Sequence, residues 1–194
     1  MTFADVHPRV RRLSLLSDAK LATLWDAAGA AIESIGGDLA ELGVRRGGVG
    51  LLLARRCPSR TVHLYDTFTG IPWDGFDDRV DRHRPGEFAT PLDEVKRNLA
   101  DCPNVAFHPG LFPGTAKEGR YALVHLDADL YASTLAGLKW FWPRLNTGGA
   151  IVLDDWKWHF CPGVEKAVEE FFAGADGYEF EQHAEHQLTV RKKR

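Results

Sequence analysis

The sequence predicts an α/β fold: a doubly wound, mostly parallel seven-stranded sheet whose last strand runs antiparallel. Three observations predict it. Helical and strand patterns alternate after the first thirty-odd positions. Two apolar strands, at 123–126 and 150–153, run straight into acids, Asp127-Ala128-Asp129 and Asp154-Asp155. Five helix-linked strands are then followed by two strand-like runs, 178–181 and 187–191, with no helix between them.

Residues 1–36 read as an N-terminal helical segment. Within it Asp18 caps a helix carrying Leu21, Leu24, Trp25, Ala28 and Ile32 at helical spacing, and Gly36-Gly37 ends it. That apolar stripe suits either the core or a homodimer interface. Strands follow at 38–42, 61–65, 105–108, 121–126 and 149–153, with helices at 47–56, 91–100, 130–144 and 164–173. Pro91 stands at a tolerated first-turn position. The stretch 67–90 is rich in Asp, Arg, Pro and Gly, and irregular loops of that length tend to be functional. It is expected to cover the pocket. With no internal repeat and no visible boundary, the 194 residues read as one domain.

Composition narrows the function. Apolar residues are 44% and charged residues 26%, ordinary globular usage, and the net charge of −3 gives no reason to expect nucleic acid. The basic end, Arg191-Lys192-Lys193-Arg194, reads as a solvated tail. Cys57, Cys102 and Cys161 are odd in number and lack CxxC spacing, so they read as reduced thiols of a cytoplasmic protein. No apolar run approaches the roughly 18 residues of a membrane span, and no signal peptide is expected.

Ligands of open α/β sheets sit at the carboxyl ends of the strands, where Asp127, Asp154 and Asp155 stand. Asp127 and Asp154 could merely cap the helices that follow. Together they would repel one another unless something positive lay between them, and Mg²⁺ prefers such oxygen donors. Upstream, Glu41-Leu42-Gly43-Val44-Arg45-Arg46-Gly47-Gly48 follows a strand and opens a helix, so its glycines admit a ligand to the backbone. Arg45 occupies the place of the second glycine of a dinucleotide fingerprint, and Glu41 would repel phosphate. Glu41 instead suits an ammonium group, such as the one in S-adenosylmethionine. Asp66 ends the second strand, where ribose hydroxyls are gripped, and Thr67 follows it. Phe68 could pack on adenine or simply fill the loop.

The segments GVRRGG, DTFTGIP, GLFPGT, LDADLYAST and GGAIVLDDW resemble, in this order, the macrocin O-methyltransferase family over roughly residues 37–173. The resemblance implies a Rossmann-like methyltransferase fold and a methyltransferase that uses S-adenosylmethionine and Mg²⁺ on a hydroxyl of a small molecule or sugar. It implies that Asp127, Asp154 and Asp155 hold the metal. The turn with Glu41, Gly43, Val44, Arg45, Gly47 and Gly48 would hold the methionine end, with Asp66, Thr67, Phe68 and Asp127 completing the cofactor site. The family's LDGD and DDY read LDAD and DDW here, and both the N-terminal extension and the segment after the second strand are short, so substrate transfers less well than cofactor.

Methyl transfer from a sulfonium is an in-line displacement, so the protein positions an oxygen and makes it nucleophilic. Asp127 is the first candidate to accept the proton, and His159, four residues past Asp155, is its rival. Trp140, Phe141 and Trp142 read as core; Trp156 and Trp158 read as core or pocket wall. The acids and bases of the 67–90 loop read mostly as solvated, although His83 or Glu87 could reach an acceptor. Two other readings stand beside this one: an NAD-dependent dehydrogenase, and a non-catalytic domain that binds S-adenosylmethionine.

Overall fold

The computed structural model describes residues 1–183 and 185–193, so Arg194 of the expected basic tail lies outside the described residues. The N-terminal part holds α1 (Phe3–Leu13) and α2 (Asp18–Ser34). There follow β1 (Asp38–Leu42), α3 (Gly48–Arg56), β2 (Val62–Asp66), α4 (Leu92–Asn98), β3 (Val105–Pro109) and β4 (Tyr121–Leu126). The remaining elements are α5 (Tyr131–Arg144), β5 (Leu145–Leu153), α6 (Pro162–Phe172), β6 (Tyr178–His183) and β7 (Gln187–Lys192).

The seven strands form one sheet in the order β3-β2-β1-β4-β5-β7-β6. The first five are parallel, and β7 runs antiparallel to both β5 and β6. This is the expected architecture, with one difference: the link from β3 to β4, residues 110–120, contains no helix. Gly110, Pro113, Gly114 and Gly119 punctuate it too closely for one.

Spacing alone does not place α1, because Pro8 lies inside it and deprives the helix of a hydrogen bond. Packing compensates. Val6, Val10 and Leu13 are buried, the Asp5 carboxylate accepts the Thr2 N–H at 2.7 Å, and Arg9 clasps Asp101.

The sheet divides the core. On one face Val10, Leu21, Leu24, Leu52 and Val95, from α1 to α4, pack against Leu39, Leu64, Leu123 and Val152. On the other, Leu138, Phe141, Val168 and Phe172, from α5 and α6, pack against Ala40, Leu42, Val124, Ile151 and Leu153. Leu21 and Leu24 are wholly buried, and Trp25 packs on Phe3 and Arg56. The leucines of the α2 stripe are therefore spent on the core, while Trp25 and Ile32 stay half-buried. Burying the stripe is worth about 2 kcal/mol per leucine before chain entropy is counted. Among the described residues no helix is long and apolar enough to cross a membrane.

Candidate functional site

The chain leaves β1 toward one edge of the sheet and β4 toward the other, which opens a crevice between their carboxyl ends. Register then places the acids. Leu42 pairs with Leu126, and Leu126 with Leu153. The ladder continues one residue further, for Asp127 N–H donates to the Leu42 carbonyl and Asp154 N–H to the Leu126 carbonyl, each at 2.9 Å. Asp127 and Asp154 are thus neighbours by strand register. Asp155 and Asp129 have left-handed backbones, with φ of 59° and 57°, a conformation that aspartate tolerates better than most residues. One carboxylate oxygen from each of Asp127, Asp154 and Asp155 lies within 4.8 Å of the others.

Burial and mutual repulsion push these acids up. The Asp154 carboxyl rises to about 6 and that of Asp129 to about 7, while Asp127 lies well above the ordinary range. A lysine answers them. Lys20, reaching in from α2, places Nζ 2.6 Å from Asp154 Oδ1, and both side chains are largely buried. Burial works against its charge, but Asp154, Asp155 and Asp127 outweigh that and raise its pKa. A single ammonium does not neutralise Asp127, Asp129, Asp154 and Asp155. Three converging carboxylates remain a donor set suited to a hard divalent cation.

The glycine-rich turn stands beside the acids. Gly43 has φ of 90°, and a Cβ there would meet the Asp127 carbonyl oxygen at 1.7 Å, so only glycine lets the two strand ends approach this closely. A Cβ on Gly48 would meet Ser14 at 2.6 Å, because the 13–17 segment lies across the turn. A cavity of about 450 Å³ runs from this turn past Asp66 to the acids, walled by residues 13–17, His83 and Trp158. That volume is ordinary for a small-molecule site.

Two carboxylates frame the turn. Glu41 borders the cavity yet is only 2% exposed, and its Oε2 has no hydrogen-bond partner. Burial holds it well above the usual carboxylate range, and His125, forced down to about 3 by its own burial, lies 3.6 Å away. Asp66 Oδ2 accepts the Val44 and Arg45 N–H groups at 2.7 and 3.0 Å, and Oδ1 accepts the Phe68 N–H at 2.7 Å. The acid that ends β2 thus fixes the shape of the turn that follows β1.

Residues 5–176 match the family model of macrocin-O-methyltransferase (TylF). The chain belongs to the TylF family. Demethyldecarbamoylnovobiocin O-methyltransferase of Streptomyces niveus is 35% identical over 161 residues, 74% of this chain and 61% of that relative. A tetracenomycin-C 4'-O-methyltransferase of Streptomyces olivaceus is 37% identical over 148 residues, 66% of this chain and 56% of the relative. The chain spans about three fifths of the length of these curated relatives. The solved structure of the O-methyltransferase NovP superposes with a TM-score of 0.84 at 29% identity, covering 94% of this chain and 83% of that one.

In this TylF-family chain Glu41, Gly43, Val44, Arg45, Gly48, Asp66, Thr67, Asp127, Asp154 and Asp155 all line the one cavity. Three expected residues do not. Gly47 caps α3 in the left-handed conformation and backs onto Val95 and Leu99. Phe68 is buried among the residues packed under α3 and α4, so it fills the loop. His159 is exposed, lies against Phe160 and Trp158, and is absent from the cavity lining, because the turn after Asp155 carries it outward.

Other residues enter the site that the sequence reading did not assign to it. Lys20, Asp129, Glu185 and His186 line the cavity, as does Trp158, whereas Trp156 is buried in the core. Asp129 was legible, since it stands two residues after Asp127 in the same strand-end segment. Lys20 was not, because nothing in a helix sequence says where its lysine will reach. The loop acid Asp81 is buried and accepts the Tyr131 and Asp77 N–H groups, so it ties the 67–90 loop to α5 rather than standing in solvent.

Proposed function

We propose that this protein is an S-adenosylmethionine-dependent O-methyltransferase acting on a hydroxyl of a small natural product or its sugar, with a divalent ion, Mg²⁺ by preference, held by Asp127, Asp154 and Asp155. The observation that carries the reading is the opening of the acid triad and the glycine turn into the same cavity. Family membership supports the reaction class, and the names of the relatives support the acceptor class.

The residues fit both groups. Glu41 offers an unpartnered buried oxygen, which suits an ammonium, and Gly43 and Gly48 leave room where side chains would intrude. Asp66 borders the cavity, and the lone pairs left by its three backbone contacts would accept from ribose hydroxyls. Arg45, standing where a second fingerprint glycine would be, speaks against a nicotinamide dinucleotide. When bound, the cofactor supplies an electrophilic methyl group and the ion lowers the pKa of the acceptor hydroxyl.

The chain's own residues then have distinct tasks. Asp127 lies between the turn and the Asp154–Asp155 pair, and it accepts the hydroxyl proton as general base. Lys20 holds Asp154 in place and limits repulsion within the cluster. Residues 13–17 cover the turn, while His83 and Trp158 wall the acceptor side and keep water from the sulfonium.

Calorimetry with S-adenosylhomocysteine, in Mg²⁺ and in EDTA, tests the reading. Micromolar binding supports the cofactor assignment. No binding in either condition overturns it. Methyl transfer to a panel of glycosylated hydroxyl compounds, if it proceeded fully in EDTA, would overturn the metal assignment alone.

A further inference from the structure

Beside the all-carboxylate triad lies a second cluster of different chemistry. His83 comes from the 67–90 loop, Asp129 from the end of β4, and Cys161 from the turn before α6. One ligating atom from each lies within 4.8 Å of the other two. Cys161 Sγ stands 3.9 Å from Asp129 Oδ1 and 3.4 Å from Asp155 Oδ2, and the thiol is buried.

The histidine is backed by a carboxylate, as metal-ligating histidines commonly are. Its Nδ1 is 2.9 Å from Glu87 Oε2. The hydrogen bond from His83 holds the Glu87 carboxyl below its ordinary value, so the carboxylate is an acceptor and Nδ1 must carry the proton. That leaves the lone pair on Nε2. A carboxylate behind a ligating imidazole is the usual outer-shell support of a zinc-binding histidine. Phe88, Trp158 and Phe160 pack around the ring and fix its plane.

We propose that His83, Asp129 and Cys161 form a second metal site, suited to a borderline ion such as Zn²⁺, which ties the 67–90 loop to the ends of β4 and α6. The donor set decides the class of ion. Thiolate and imidazole favour zinc-like ions, whereas the three-oxygen triad favours Mg²⁺. Bonds of about 2.0–2.3 Å set tetrahedral donors about 3.5 Å apart, so the side chains need draw in by only about 1 Å. As the ion binds, the thiol loses its proton to solvent and a sulfur–metal bond forms. Charge agrees with this. One divalent ion leaves the acids and Lys20 still negative, while two ions, with Cys161 as thiolate, bring the cluster to neutrality. His83 and Asp129 border the cavity, so an ion they held would lie at its wall.

The site does not depend on the methyltransferase reading, and its test does not use activity. With Mg²⁺ in excess to fill the triad, Co²⁺ is titrated as a spectroscopic substitute for Zn²⁺. One equivalent should develop the near-ultraviolet thiolate-to-cobalt charge-transfer band. The band should vanish in Cys161→Ser and persist in Asp154→Asn. His83→Ala, at a loop position that leaves the core intact, and Glu87→Gln should each weaken Co²⁺ binding by about tenfold or more. Zn²⁺ should slow tryptic cleavage at the exposed Arg79 and Arg82 by at least about fivefold in the wild type. Co²⁺ binding without the band, a band undiminished in Cys161→Ser, or cleavage indifferent to Zn²⁺ would overturn the proposal. Calorimetry with S-adenosylhomocysteine on the same preparation reports separately on the cofactor.

Discussion

Asp155→Asn removes one carboxylate from the triad while leaving the volume and backbone nearly unchanged. On the proposed reading the expected outcome is a loss of methyl transfer of at least about 100-fold, since an ion held by the triad would lose a ligand and the hydroxyl its activation. Affinity for S-adenosylhomocysteine, measured by calorimetry, should change by less than about threefold because Glu41 and Asp66 are untouched. Lys20→Met makes an opposite kind of prediction. Lys20 competes with a cation for Asp154 Oδ1, so its removal should tighten Mn²⁺ binding, followed by paramagnetic resonance, by at least about tenfold. Weaker binding in Lys20→Met would show that the lysine supports the ion instead. Asp129 contributes to the pH dependence of the apo protein. Its carboxyl is raised to about 7, so the folded state holds a proton that the unfolded chain releases near 4. Its contribution is therefore present at low pH and lost as pH rises through 7. Asp129→Asn should stabilise the apo protein by about 2 kcal/mol at pH 8 and by little at pH 5, read from urea midpoints.

At the scale of elements, the β1–α3 turn and the β4 end constrain each other. Gly43 sits against the Asp127 carbonyl, so Gly43→Ala forces both a clash and an unfavourable φ. It should cost at least about 2 kcal/mol in denaturant unfolding and abolish cofactor binding, because the turn cannot stay where Asp66 holds it. A variant that bound S-adenosylhomocysteine normally would contradict the close approach. The turn itself was legible in the sequence, since glycines between a strand and a helix announce it. Which glycine serves which purpose was not. Gly43 and Gly48 face the cavity, while Gly47 faces the side chains of α4, and that distinction depends on where α4 packs. Within the helical segment expected at 1–36, the bounds of α1 were likewise illegible, because Pro8 speaks against a helix locally and burial of Val6, Val10 and Leu13 sustains it.

Across the whole molecule, buried histidines act against the acids. Burial lowers His125 to about 3, and burial beside His63 lowers His108 to about 4. The unfolded chain takes up these protons near 6.5, so their contribution is present above that pH and lost as the solution is acidified toward 4. His125→Leu should flatten the fall in melting temperature between pH 7 and pH 5, since the leucine needs no proton. An unchanged slope would place the acid sensitivity elsewhere.

The sequence by itself determined the order of strands and helices, the antiparallel closing strand, and the acids at the ends of β4 and β5. These follow from local periodicity and from the position of polar residues at the ends of apolar runs, which neighbouring residues suffice to fix. Tertiary structure decided what meets those acids. Lys20 crosses from α2, His83 is brought in by a loop tied down through Asp81, and Cys161 arrives from the start of α6. It also turned His159 outward and buried Phe68. No spacing in the chain encodes those meetings, because they depend on how helices far apart in sequence pack on the two faces of one sheet.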